Sequence, residues 1–306
     1  MNRERCRTRT PGGRGELCQP AGDLDRRSKI PVAAAVGPYV GHGNRDAQPL
    51  MESAAGNRPY SLLAEAYDDI VGRNFFSQMR EAFERIVNRH RIGFRSAADL
   101  GCGTGLFARY LNALWRVPVF GVDLSPAMLR VAASNCRGGK VTLMRQDIRR
   151  LALPRRVDLV TANFDTINHL VGEGDLPRLF RRVFHQLHPG GHFIFDFITP
   201  CNPPDGVTVH FRRSEDGRKS VAQKIRWVPG RRMFVYQIVF REPASPCSRV
   251  EVHRERAYSP REVAAWLMDA GFVLREVLDA ATLRRAGACP PRIIVVAHKP
   301  APGILR

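Results

Sequence analysis

The sequence predicts an α/β protein: a mostly parallel sheet covered by helices on both faces, with an added antiparallel β insertion. Three observations predict it. Apolar strand-like runs alternate with helical periods between Ala97 and Ile198, the pattern of a parallel sheet buried on both sides. A glycine-rich turn, Gly101-Cys102-Gly103-Thr104-Gly105, joins the first of these strands to a helix. After Pro200 the rhythm changes to four strand-like runs with little helix between them.

The chain has 306 residues, 44% hydrophobic and 25% charged, a balance that excludes a wholly disordered protein. No apolar run reaches the roughly 18 residues of a membrane span, which predicts a soluble chain. The 48 Lys and Arg against 29 Asp and Glu give a net charge of +19, which bears on anionic partners and not on fold. Seven scattered cysteines, odd in number and never spaced as C-x-x-C, argue against a zinc site or a disulfide framework. They fit a reducing cytoplasm.

Residues 1–57 are rich in Arg, Gly and Pro without sustained period, and read as a disordered extension. Met51 is an alternative start that would make the preceding 50 residues spurious. A helical stripe begins with Leu63, Tyr67 and Ile70 and continues through Phe76, Met79, Phe83 and Ile86. Strands follow at Ala97–Leu100, Val117–Asp123, Val141–Gln146, Val157–Ala162 and His192–Ile198. Helices are expected at Leu106–Trp115, at Pro126–Asn135 behind Ser125 as N-cap, and at Leu176–Leu187, stopped by Pro189-Gly190-Gly191. In the insertion, 207–257, the runs are Val207–Phe211, Val221–Val228, Met233–Phe240 and Val250–His253. Pro229-Gly230 turns the second into the third, and the third is apolar on both faces and therefore central. A helix at Ser259–Ala270 and strands at Phe272–Leu278 and Arg292–Ala297 close the chain.

The chemistry gathers where the parallel strands end. Asp99-Leu-Gly101-Cys-Gly103-Thr-Gly105 lets backbone approach a ligand and opens a helix whose free N–H groups suit an anion. The dinucleotide fingerprint needs glycine at 106, where leucine stands, and the lysine of a phosphate-binding loop is missing. Asp123 ends the second strand, where an acid can accept both hydroxyls of a ribose. Asp147 ends the third, placed to accept from an adenine amino group. Carboxyl ends of parallel strands are where open α/β sheets take ligands.

DLGCGTG, GVDLS, QDI, DLVTANFD and LHPGGHFIFDF together resemble the successive motifs of class I S-adenosylmethionine-dependent methyltransferases over about residues 60–298. The resemblance implies a Rossmann-like seven-stranded sheet of order 3-2-1-4-5-7-6 with strand 7 antiparallel, and S-adenosylmethionine as cofactor. It implies that Gly101, Gly103 and Gly105 line the methionine part, that Cys102 and Thr104 between them also bind the cofactor, and that Asp99 faces its amino group. Asp123 falls on the ribose and Asp147 with Ile148 on the adenine, and Leu124, Met128, Asn163 and Phe164 are further cofactor-binding candidates. Asn163 to Leu170, the β insertion and Glu255-Arg-Ala-Tyr-Ser are similar to a bacterial small-molecule branch near glycine/sarcosine-type and amino-sugar N-methyltransferases. The [DN]-P-P-[FY] motif of nucleic-acid amine methylases is absent after strand 4. Asn202-Pro203-Pro204-Asp205 imitates it after strand 5 and reads as a loop.

His169, just past strand 4, is the candidate base for an amine or hydroxyl acceptor, with a packing histidine as alternative. Tyr60 and Tyr67 are placed to close over the cofactor, although Tyr67 also fits the apolar stripe. Asp165 and Asn168 are candidates for orienting the acceptor. The insertion carries 12 basic and 5 acidic residues. It reads as a cap whose Trp227, Phe234, Tyr236 or Arg241 line the acceptor pocket, or as a contact between two copies. The expected function is methyl transfer to nitrogen or oxygen of a small molecule. The basic surface makes an RNA or protein acceptor the alternative, and cofactor binding without transfer a third reading. No metal and no membrane partner are expected.

Overall fold

The computed structural model describes residues 60–214, 217, 219–241, 249–301 and 303; the segment 1–57 lies outside the described residues. The helical stripe forms α1 (Ala64–Tyr67), a π turn (Asp68–Gly72) and α2 (Arg73–His90) in continuous succession. Then follow β1 (Ala97–Leu100), α3 (Leu106–Trp115), β2 (Val119–Asp123), α4 (Pro126–Asn135), β3 (Val141–Arg145) and β4 (Val157–Ala162). The first half closes with α5 (Asp175–Gln186) and β5 (Leu187–Ile198). The insertion supplies β6 (Val207–Arg213), β7 (Ser220–Val228), β8 (Met233–Arg241) and β9 (Arg249–Arg256). The chain then returns through α6 (Pro260–Asp269), β10 (Val273–Asp279) and β11 (Arg292–His298).

The large sheet runs β10-β11-β5-β4-β1-β2-β3, parallel except where β11 pairs antiparallel with β5 and β10. This is the order that the motifs imply. Its two faces are both covered, so every residue of β1 is buried. On one face Ala98, Val160, Phe193 and Phe195 pack with α5 and α6; on the other Ala97, Leu159 and Ile194 pack with Phe83 and Phe107 of α2 and α3. The Ser125 hydroxyl caps α4 by accepting the Met128 N–H, and Ser259 with Glu262 forms a reciprocal capping box on α6.

Two local expectations change. Pro189-Gly190-Gly191 does not separate α5 from the strand but lies inside β5, because Lys299 exchanges main-chain bonds with Gly190 and Gly191 and so prolongs the antiparallel pairing. A disulfide joins Cys201 to Cys289, with Cα atoms 5.4 Å apart, although the scatter of the cysteines argues against a disulfide framework. It ties the loop after β5 to the loop before β11. The 88-residue separation left no spacing signal.

The second sheet runs β6-β7-β8-β9, all antiparallel, with the apolar MFVYQIVF strand inside as expected. It enters after Ile198 and returns at Tyr258, whose N–H bonds the Ile198 carbonyl at 3.2 Å. Val221, Ile238 and Phe240 form an apolar cluster with Leu63, Ala66 and Ile70, so the first helical segment is seated on this sheet. No described helix is long and apolar enough to cross a membrane.

Opening the 201–289 disulfide releases an 88-residue loop, worth about 4–5 kcal/mol by chain entropy and typically about 2–4 kcal/mol in practice. Urea denaturation of Cys201→Ser, or of the wild type in dithiothreitol, is therefore expected at a lower midpoint. An unchanged midpoint would show that the bridge adds nothing to stability.

Candidate functional site

A cavity of about 740 Å³ lies along the carboxyl ends of β1, β2 and β4, a size that suits a small-molecule ligand. Its floor is the glycine turn. Gly101 has φ +65°, and a Cβ there would stand 2.3 Å from Thr166 Oγ1, so only glycine permits this approach. Gly105 (φ +81°) starts α3 and is similarly hemmed in by Cys136 and Ala132. The Cys102 N–H bonds the Val122 carbonyl, which keeps the turn level with the end of β2. Thr104 donates to Asp68 Oδ1, while Asn135 donates to Asp68 Oδ2 at 3.0 Å. Asp68, in the π turn, thus ties the first helical segment to the glycine turn and to α4. Its only sequence signal was an acidic pair interrupting an apolar stripe.

Asp123 is the best-anchored acid of the site. Its Oδ2 accepts the Gly103 N–H at 2.8 Å and its Oδ1 the Ser125 N–H at 2.7 Å. Burial pushes its carboxyl up, and these N–H bonds pull it back down. Asp99 is 2% exposed, accepts the Thr161 hydroxyl at 2.7 Å and is pushed up to about 7 by burial. A cation beside it would restore its charge. Asp147 also reaches the cavity, but Arg149 grips both its oxygens and holds it below the usual carboxylate range. Leu124, Met128 and Ile148 supply apolar wall. Gly103, Thr104, Asn163, Phe164, Tyr60, Tyr67 and His169 also line the cavity.

Asn163 tests whether these residues fit an adenosyl sulfonium. It is 3% exposed, lines the cavity, and neither its Oδ1 nor its Nδ2 has a partner. A buried amide left so is costly unless a ligand completes it. Together with the anchored Asp123 and the Gly101 cradle, it fits a polar ligand with adjoining donors and acceptors. Asp123 would hold the ribose and Asp99 the ammonium. No group of three or more His, Cys, Asp or Glu placed to hold a metal occurs among the described residues.

At the opposite end the Tyr60 hydroxyl lies 3.0 Å from His169 Nε2, and the Tyr60 ring stands edge-on to Tyr67. Burial, and then His253, lower His169 to about 4, so its imidazole is neutral at neutral pH. Glu255 Oε1 is 3.6 Å from the same Nε2. Burial and the nearby Asp165 push the Glu255 carboxyl well up, and its Oε2 lacks a partner.

The acceptor-side expectations fare less well. Asn168 is fully buried and bonds main chain alone: its amide donates to the Ile198 and Arg256 carbonyls, and its oxygen accepts the Ile198 N–H. It staples β5 and β9 together and is not free for an acceptor. Asp165 pairs with Arg292 and does not line the cavity. Trp227 packs on Phe234 across the β7–β8 pair, 4.7 Å between rings, and neither reaches the cavity. The reason is topological: β9, two strands from β7, is the one that presents Val252 and Arg254 to the cavity. Tyr236 hydrogen-bonds Glu255 from behind the wall. The side chain of Arg241 lies outside the described residues.

A methyltransferase-domain family profile matches residues 97–191. Over 176 residues, 53% of this chain and 68% of the other, the sequence is 33% identical to the dTDP-3-amino-3,6-dideoxy-alpha-D-glucopyranose N,N-dimethyltransferase of Streptomyces fradiae. The fold is shared with an S-adenosylmethionine-dependent methyltransferase from Clostridium acetobutylicum (TM-score 0.67, 23% identity, 78% of this chain and 98% of that one). It is shared also with the sugar N-methyltransferase KedS8 from Streptoalloteichus sp. (TM-score 0.64, 22% identity, 85% and 100%). Sequence kinship to one methyl-transferring enzyme and a common sheet with others agree with the geometry of the carboxyl edge, and the chain belongs to the class I S-adenosylmethionine-dependent methyltransferases.

Proposed function

We propose that this methyltransferase acts on the amine nitrogen of a small molecule. The observation that carries the reading is the neutral His169 at the cavity wall, bridged by the Tyr60 hydroxyl and backed by the partly unpartnered Glu255. The cofactor, when bound, supplies a sulfonium methyl that an in-line lone pair can displace. The protein's task is then to align the acceptor and take its proton, and alignment is the larger contribution. An amine meeting this wall can pass a proton to the Tyr60 oxygen as Tyr60 passes its own to His169 Nε2. The relay avoids a free tyrosinate, which burial at Tyr60 makes costly. Glu255, whose Oε2 has no hydrogen-bond partner, favours an amine over a hydroxyl because a cation near it restores its ionised form. The dimethyltransferase from Streptomyces fradiae, by its name, also acts on an amino sugar.

In this reading the insertion is the cap of the acceptor end, since β9 contributes Val252 and Arg254 to the wall. The edge strand β6 exposes Phe211 (80%) and Val207 (49%), and an unprotected apolar edge suits pairing with a second copy. A cavity walled by β9 and Tyr60 favours a small acceptor over RNA or a folded protein.

Incubation with methyl-labelled S-adenosylmethionine and panels of aminated sugars, their hydroxyl analogues and total RNA tests the proposal. Label in the amines is expected; stoichiometric label in the hydroxyl analogues or in RNA would overturn it. Asp123→Ala removes two hydrogen bonds to a charged group, each worth about 1.5–3 kcal/mol, so cofactor affinity measured by calorimetry is expected to fall at least about 100-fold. Unchanged affinity would displace the ribose from this acid. His169→Ala is expected to slow turnover about 100-fold with cofactor binding retained. Because its folded value lies near 4, below the ordinary histidine value, the imidazole is neutral above that pH and is lost as a base only on further acidification. The His169-dependent part of the rate should therefore persist below pH 6 and decline toward pH 4. A decline centred at the ordinary histidine value, about 6.5, would contradict the buried placement.

A further inference from the structure

The corner after β4 is held in a conformation that its residues do not favour. Phe164 and Asp165 have φ of 58° and 62°, in the left-handed region that residues bearing a Cβ seldom enter. Two such residues in succession persist only where surrounding contacts enforce them. Here the contacts come from Asp196 on β5, which is fully buried. Its Oδ1 accepts the Phe164 N–H at 2.6 Å and its Oδ2 the Asp165 N–H at 3.4 Å. Arg292, entering from β11, pairs with both Asp196 and Asp165. One carboxylate thus fixes the main chain of the corner, and one guanidinium fixes that carboxylate and the side chain of the corner.

What the corner carries gives this network its consequence. Asn163 and Phe164 form cavity wall, and Asp165 is the residue from which the Thr166–His169 turn departs, its carbonyl accepting the Asn168 N–H at 2.8 Å. A rotation at Phe164 or Asp165 would swing His169 away from Tyr60 and move Phe164 within the wall. A role confined to stability would not need this arrangement, since buried ion pairs can often be replaced by apolar groups at little cost. We infer that Asp196 and Arg292 are positioning residues for methyl transfer, which set the acceptor end of the site by holding the Phe164–Asp165 corner. The inference rests on the proposed role of His169, but its test needs no acceptor.

The variants are Asp196→Asn, which keeps the shape but can accept only one of the two N–H groups, Arg292→Met, and Arg292→Lys, which keeps the charge but not the placement of the Nη1 that meets both carboxylates. In Asp196→Asn and Arg292→Met, hydrogen exchange in the peptide 163–170 is expected to quicken about tenfold or more relative to the rest of the sheet. The His169 imidazole, followed by NMR, is expected to titrate at least about one pH unit higher as it leaves its desolvated niche. Arg292→Lys should fall between the wild type and Arg292→Met in both readouts. S-adenosylhomocysteine, titrated by calorimetry, should bind all three within about tenfold of wild type, because Asp123 and the glycine turn are untouched. An unmoved His169 titration in folded Asp196→Asn and Arg292→Met would overturn the inference. So would loss of S-adenosylhomocysteine binding in all three, which would make the network a support of the whole cavity. Should Asp196→Asn not fold, the two Arg292 variants decide by the same criteria. Failure of the acceptor screen would leave these readouts unaffected, so the hold of Asp196 and Arg292 on the corner is tested separately from the role of His169.

Discussion

Everything at the carboxyl edge of the sheet depends on one carboxylate held by two main-chain N–H groups. Asp123 receives Gly103 from the turn after β1 and Ser125 from the turn after β2. Added to the Cys102–Val122 main-chain bond, these contacts join the two turns into one rim. The same bonds keep the acid oriented in a place where burial alone would favour its neutral form. Glycine at 101 and 105 then follows from geometry, because the rim brings Thr166 and Cys136 closer than any Cβ could bear.

The second half of the cavity is assembled from parts distant in the chain. The segment from Tyr60 to Gly72 crosses the glycine turn, fastened to it by Asp68, and lies on the insertion sheet through Leu63, Ala66 and Ile70. Glu251 of β9 accepts the Ser61 hydroxyl and the Leu62 N–H and so secures its start. The carrier sheet alone therefore makes a cofactor shelf, whereas the proposed acceptor end exists only once the first helical segment and β9 have met.

The division between what could and could not be read from the sequence follows the same line. Strands buried on both faces must be apolar runs, so β1, β2, β4 and β5 announced themselves, and their terminal acids could be counted off by spacing. The cavity accordingly contains Asp99 and Asp123, and Asp147 follows the half-exposed edge strand β3. Long-range polar pairing has no period. Asn168 looks the same in sequence whether it meets solvent or three main-chain groups. Glu251, His253 and Glu255 alternate as a solvated face would, yet all three are buried beneath residues 60–62. Trp227 and Val252 both lie on strands of the insertion, and which strand faces the cavity is settled by where the first helical segment lands. Asp196 and Arg292 lie 96 positions apart and meet only because β11 runs antiparallel to β5.

The seam of the insertion has an evolutionary corollary. The chain leaves the parent sheet at Ile198 and rejoins it at Tyr258 across a single main-chain bond, so the excursion is closed at its root. An excursion rooted in this way can be lengthened, trimmed or exchanged for another without re-registering the strands on either side. On the proposed reading, change confined to the excursion would alter the acceptor end and leave the glycine turn and Asp123 untouched.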